Sequence, residues 1–163
     1  RPAARFPEDI EKGLDHSGTY GVSPRVLHFA GHGDAGMGWM AAGDKKLEGA
    51  LCFETKDGTP HLPTPEEFIQ TLSKAIEQKT CTKLQCIFLN GCQTYEPLGI
   101  ALHEAFPSLF IIAWSTTVLD AGASVFASAF YNKLGQDLGA GCKGCIEDAY
   151  NCAKEAFANK YVW

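Results

Sequence analysis

Short, almost wholly apolar runs alternate along this chain with stretches of helical periodicity. Residues 25 to 30 (RVLHFA) form the first run, stopped by Gly31-His32-Gly33, and 84 to 90 (LQCIFLN) and 109 to 115 (LFIIAWS) repeat the pattern. Apolar runs of this length with no polar alternation predict strands buried on both faces, as in parallel sheets. Residues 49 to 54 (GALCFE) are a further strand candidate, followed by the turn Lys56-Asp57-Gly58-Thr59-Pro60.

Between the strands the period becomes that of a helix. Thr64-Pro65-Glu66-Glu67 combines an N-cap, a proline at the first helical position and two acids in the first turn, and Phe68, Leu72, Ala75 and Ile76 share one face. A helix over 65 to 79 is therefore predicted. Others are predicted around 97 to 106, from Asp120 to Asp137 with Ala123, Phe126, Ala127 and Phe130 inward, and from Lys143 to Asn159 with Ile146, Ala149, Tyr150, Ala153 and Phe157 inward. Strands alternating with helices predict an α/β fold with a mostly parallel sheet and right-handed crossovers. Residues 1 to 24, rich in charge, Pro and Gly, read as a surface lead-in with a short helix near PEDIEKGL, and 25 to 163 as one domain.

Composition narrows the functional classes. With 163 residues, 45% hydrophobic and 11% aromatic, the chain can build one ordinary core. A formal net charge of -5 lacks the basic footprint that nucleic acid or anionic lipid demands. The longest apolar run, LFIIAW, is far short of the roughly 18 residues of a membrane helix. The chain opens on Arg1 with no apolar signal core behind it, which reads as an excerpt or processed product of something longer. Seven cysteines are an odd number, and several sit in stretches such as LQCIFLNGC where a thiol behaves as a small hydrophobe, so no disulfide framework is expected. Reduced thiols predict an intracellular, reducing compartment, the cytoplasm or an organelle interior. Cys142-Lys143-Gly144-Cys145 is a single C-x-x-C at a helix start, and with no second pair or clustered His it reads as thiols rather than a zinc site.

In open parallel sheets functional groups collect beyond the carboxyl ends of the strands. His32 falls two residues past the first strand and Cys92 two past the third, so both leave the same sheet edge if those strands are neighbours. A thiol beside an imidazole is suited to acyl transfer: the thiolate attacks, and the imidazole takes its proton and later protonates the leaving amine. Gly33 and Gly91 allow close backbone approach, and the amides of Gly33 and Cys92 can face a developing oxyanion. The bland alternatives are a core thiol and a hydrogen-bonded turn histidine; the paired placement favours the reactive reading. His28, inside the first strand, reads as structural. Gly31, Gly33 and Gly36 also match G-x-G-x-x-G with Glu54 about twenty residues on, but Gly38 and Gly43 break the helix that a dinucleotide site needs. No cofactor or metal is expected.

HFAGHG at 28 to 33, LNGCQT at 89 to 94, AWSTTVLDAGASVFASAFYNKL at 113 to 134 and the final Ala-rich helix together resemble, in order and spacing, the CHAT domain of the caspase-like cysteine peptidase clan. The resemblance covers about 25 to 158. It implies a caspase-like three-layer sandwich and a cysteine endopeptidase that cleaves protein or peptide substrates, with His32 and Cys92 as the catalytic dyad and the Gly33 and Cys92 amides as oxyanion hole. It also implies a place in a larger regulated protein with an assembly partner, the alternative being a caspase-fold scaffold whose dyad is unused. The chain departs from the clan at Asn90, two before the nucleophile, where metacaspases place an acidic pocket floor; their preference for basic P1 residues is not carried over. Substrate-lining positions are then Asn90, Asp34 as a rim acid, and Asp120 after the fourth strand. Asp120 equally reads as the N-cap of the following helix.

Overall fold

Within the run at 84 to 90, residues Cys86–Asn90 form the middle strand of a sheet and are all buried. In the computed structural model, which describes residues 4–15, 23–33, 50–78, 81–139 and 145–161, the elements are α1 (Glu8–Leu14), β1 (Val26–Ala30), β2 (Phe53–Glu54), β3 (Pro60–His61), α2 (Pro65–Glu77), β4 (Cys86–Asn90), α3 (Ile100–Ala105), β5 (Phe110–Ala113), α4 (Asp120–Gly139) and α5 (Ile146–Tyr161). The fold is α/β, with a parallel sheet of order β1-β4-β5 flanked by helices. All five residues of β4 are buried, whereas β1 and β5, the outer strands of this order, are partly exposed. A central strand, paired on both sides, keeps its side chains away from the sheet edges where water has access.

The chain falls into two compact units, Arg1–Thr117 and Val118–Trp163. In the first, Ile87 and Leu89 of β4 meet Phe68, Leu72 and Ala75 of α2, Leu102 of α3, and Ile10 and Leu14 of α1 in one hydrophobic cluster. The start of α2 is as expected: the Thr64 hydroxyl accepts the Glu67 N–H at 3.2 Å, and the Glu67 carboxylate accepts the Thr64 N–H at 2.8 Å. Within the expected lead-in, the described residues 4 to 15 join this core: Ile10 and Leu14 are buried and the Phe6 ring lies 5.4 Å from Phe53 and 5.8 Å from Phe68.

The run at 49 to 54 is a correction to the expected parallel sheet. Only Phe53–Glu54 becomes strand, and it pairs antiparallel with Pro60–His61 in a separate two-stranded sheet. Gly58 adopts a positive φ of 77°, and the Thr55 N–H donates to the Thr59 carbonyl at 2.8 Å, so the chain reverses at once instead of crossing over. The helix predicted around 97 to 106 is present, α3 continuing directly from a wide helical turn at Tyr95–Gly99 whose non-helical residue is the extended Glu96.

The second unit is the pair α4 and α5. A side chain on Gly122 would meet the Phe157 ring at 2.9 Å, and the Phe126 ring lies 5.9 Å from Tyr150, so the helices run antiparallel. Phe126, Phe130 and Leu134, spaced by four, are buried, as are Ile146, Ala149 and Ala153. The expected start at Lys143 lies outside the described residues, as does Cys142; α5 begins at Ile146, after an exposed Cys145. Among the described residues no helix is long and apolar enough to cross a membrane.

His28 of β1 has the structural setting expected of it. Its register partner is Phe88, and the two rings stack at 4.5 Å, 5° from parallel. Burial pushes its pKa below the usual value of 6.5. The unfolded chain therefore takes up a proton that the folded chain resists, so stability from the neutral ring is complete above the ordinary value and is lost as pH falls towards the lower folded value. The unfolding midpoint is expected to drop between about pH 7 and about pH 5, with part of that slope absent in His28→Phe, as read by thermal denaturation across the range.

Candidate active site

The site begins with strand register. β1 and β4 are adjacent and parallel, pairing Ala30 with Asn90, and the Gly31 N–H extends the ladder to the Asn90 carbonyl at 3.4 Å. Two residues past each strand end come His32, exposed, and Cys92, half-buried, at one carboxyl edge of the sheet. The neighbourhood expected from two separate apolar runs is therefore present in the backbone.

Gly33 turns across this edge. A Cβ on Gly33 would run into the Cys92 carbonyl oxygen and lie 3.0 Å from the Cys92 nitrogen, while one on Gly91 would lie 3.0 Å from the Gly31 oxygen and 3.1 Å from the Gly33 nitrogen. The amides of Gly33 and Cys92 thus share a small area that only glycines leave open. On its other side, the His32 carbonyl accepts the Cys52 N–H at 3.0 Å and Gly33 forms an antiparallel bridge with Leu51. Gly33 is therefore bridged to Leu51 in strand-like fashion, and the rest of the Gly-rich stretch expected to be loop, from Asp34 to Gly43, lies outside the described residues.

Cys92 heads a loop held on every side. Gln93, although not a glycine, has a positive φ of 52°. That left-handed conformation costs on the order of 1 kcal/mol outside glycine, and it is kept by bonds to the segment after β5. The Gln93 N–H donates to the Thr116 carbonyl at 3.1 Å and the Tyr95 N–H to the Trp114 carbonyl at 3.0 Å. Thr94, fully buried, directs its hydroxyl at the carbonyls of Leu89 (2.9 Å) and Gly91 (3.1 Å) and accepts the Trp114 N–H at 3.3 Å. Trp114 and Thr116 were not legible as site residues, because they act through partners about twenty positions away, and the role of Thr94 in LNGCQT emerges only with its bond to Trp114.

The remaining candidates are Asn90, Asp34 and Asp120. Asn90 is buried, and its side-chain oxygen accepts the Trp114 indole N–H at 2.8 Å. Asp34 lies outside the described residues. Asp120 belongs to the second unit, where it is the first residue of α4; the Ala123 N–H donates to the Leu119 carbonyl at 2.9 Å, so Asp120 stands one place inside the cap position.

The six described cysteines are thiols, none in a disulfide. Burial separates them chemically: desolvation pushes Cys86, fully buried in β4, up to about 12, and raises Cys81 as well. Neither reaches the thiolate at neutral pH. Cys92 is only half-buried, two residues past the end of β4. Among the described residues no three His, Cys, Asp or Glu side chains gather where they could hold a metal ion. No family model matches the chain, and neither the curated proteins nor the solved structures contain a significant match to it.

Proposed function

We propose that this chain carries a cysteine endopeptidase domain of the CHAT type, within the caspase-like clan, working as part of a larger regulated protein. His32 takes the proton from the Cys92 thiol as Sγ attacks the scissile carbonyl carbon, and the resulting oxyanion is received by the amides of Gly33 and Cys92. Collapse of the tetrahedral intermediate breaks the C–N bond, His32 gives its proton to the departing amine, and a thioester remains on Cys92. A water deprotonated by His32 then hydrolyses the thioester, releasing the acid and restoring the thiol. A thiol nucleophile requires a reducing surrounding, which fits the interior of a cell or organelle.

The observation that supports this reading best is the parallel register of β1 and β4, with Gly33 laid against the Cys92 peptide. The test is labelling of the intact protein with peptidyl ketones of varied sequence that alkylate activated thiols, followed by mapping of the modified cysteine. Labelling confined to Cys92, dependent on the peptide portion and lost in His32→Ala, is the expected result. Labelling of Cys92 by a plain alkylating agent but by no peptidyl probe would instead assign the domain to a binding scaffold with an idle dyad.

A further inference from the structure

The loop bearing Cys92 is held from beneath by a group that the dyad chemistry does not use. We infer that Thr94 is a positioning residue, whose hydroxyl, with Trp114, clamps the Cys92 loop to the end of β5; as a role in catalysis this rests on the peptidase reading. One hydroxyl hydrogen faces the carbonyls of both Leu89 and Gly91, and the same oxygen accepts the Trp114 main-chain N–H. Trp114 engages the loop in two more ways, its carbonyl accepting the Tyr95 N–H and its indole N–H donating to Asn90, and Thr116, two residues on, accepts the Gln93 N–H. The bonds bracket Cys92, reaching three residues before it and three after.

The clamp has a specific object. Gln93 relaxes out of the left-handed region wherever its surroundings permit, because a side chain disfavours that region. Relaxation at Gln93 rotates the peptide joining it to Cys92, whose carbonyl lies against Gly33, and so shifts the Cys92 thiol and amide together. Strain of this kind persists only where neighbouring structure over-determines it. Thr94 is the buried centre of the bonds that do so, and its position three residues past the Gly91 turn lets one hydroxyl reach both carbonyls.

The experiment measures carboxamidomethylation of each cysteine by iodoacetamide in the folded protein, resolved by peptide mapping. Thr94→Val keeps the shape and removes the hydroxyl; Thr94→Ser keeps the hydroxyl. In Thr94→Val, Cys92 is expected to react at least about fivefold faster as the loop opens, Thr94→Ser staying within about twofold of wild type and exposed Cys145 unchanged throughout. Should Thr94→Val fail to fold, Trp114→Phe removes only the indole donor and is expected to accelerate Cys92 by about threefold. Cys92 reacting at the wild-type rate in the folded variant overturns the clamp, even if the unfolding midpoint falls, since that pattern belongs to a merely structural hydroxyl. For peptide hydrolysis the clamp predicts a fall in kcat with KM nearly constant. Because alkylation does not require turnover, a wild-type protein that cleaves no peptide but whose Cys92 opens in Thr94→Val refutes the peptidase reading alone; intact turnover with unchanged alkylation in the variant refutes the clamp alone.

Discussion

Replacing Cys92 by alanine is expected to lower peptide hydrolysis on the order of 10⁴-fold or more while leaving the fold intact. The substitution removes one sulfur at a half-buried loop position, so the cavity term is small and the stability change is expected to stay within about 1 kcal/mol. All the activity that depends on a thioester disappears with the sulfur; what survives is whatever the Gly33 and Cys92 amides achieve by stabilising the oxyanion of an attacking water. His32→Ala removes the proton carrier and is expected to fall to nearly the same floor, and the double variant to fall little further, because residues that act as one unit do not add. The check is hydrolysis of a peptide library alongside thermal denaturation. Turnover persisting in Cys92→Ala would place the chemistry elsewhere. Cys86 offers no substitute, since burial holds its thiol protonated.

Gly33→Ala is the substitution expected to damage the site most through geometry alone. Its new methyl would overlap the Cys92 carbonyl oxygen, which is backbone and has little room to move. Gly33 is held by its bridge to Leu51 on one side, and the Cys92 loop by Thr94, Trp114 and Thr116 on the other. With both partners pinned, the overlap is relieved only by breaking one set of bonds. A stability loss of about 3 kcal/mol is expected, with a fall in peptide turnover of at least about 100-fold because both oxyanion amides move. Gly31→Ala makes a graded control: its methyl meets the edge of the Phe29 ring at 3.0 Å, a side chain that can turn aside, and the expected cost is under about 1 kcal/mol. Equal stability and turnover in Gly33→Ala and wild type would mean that Gly33 does not lie on the Cys92 peptide.

Trp114 shows why a site residue can be invisible beforehand. Read along the chain it closes an apolar run and looks like core. In three dimensions it is the point where β5 is tied to the loop after β4, through its N–H, its carbonyl and its indole. GALCFE shows the converse, a run whose apolar content is real, since Leu51 and Phe53 are buried, but whose pairing partner is a hairpin rather than the parallel sheet. Asp120 was read either as a pocket acid or as a cap, and the start of α4 places it one residue inside the cap.

What the sequence determined by itself were features set by neighbours within a few residues. These are the burial of Cys86–Asn90 from a mainly apolar run, the capping box of α2 from Thr64 and Glu67, and the positions of His32 and Cys92 two steps past strand ends. The tertiary structure decided what depends on contacts across many residues. These are the β1-β4-β5 order that brings His32 and Cys92 to one edge, the reversal at Gly58, the recruitment of Ile10 and Leu14 to the core, and the Thr94–Trp114 clamp. Periodicity and caps are local because a helix or strand repeats within a few residues. Register and clamping are not, because a hydrogen bond between two strand ends is specified by the whole set of side chains that must be buried together, and no short window of sequence contains that set.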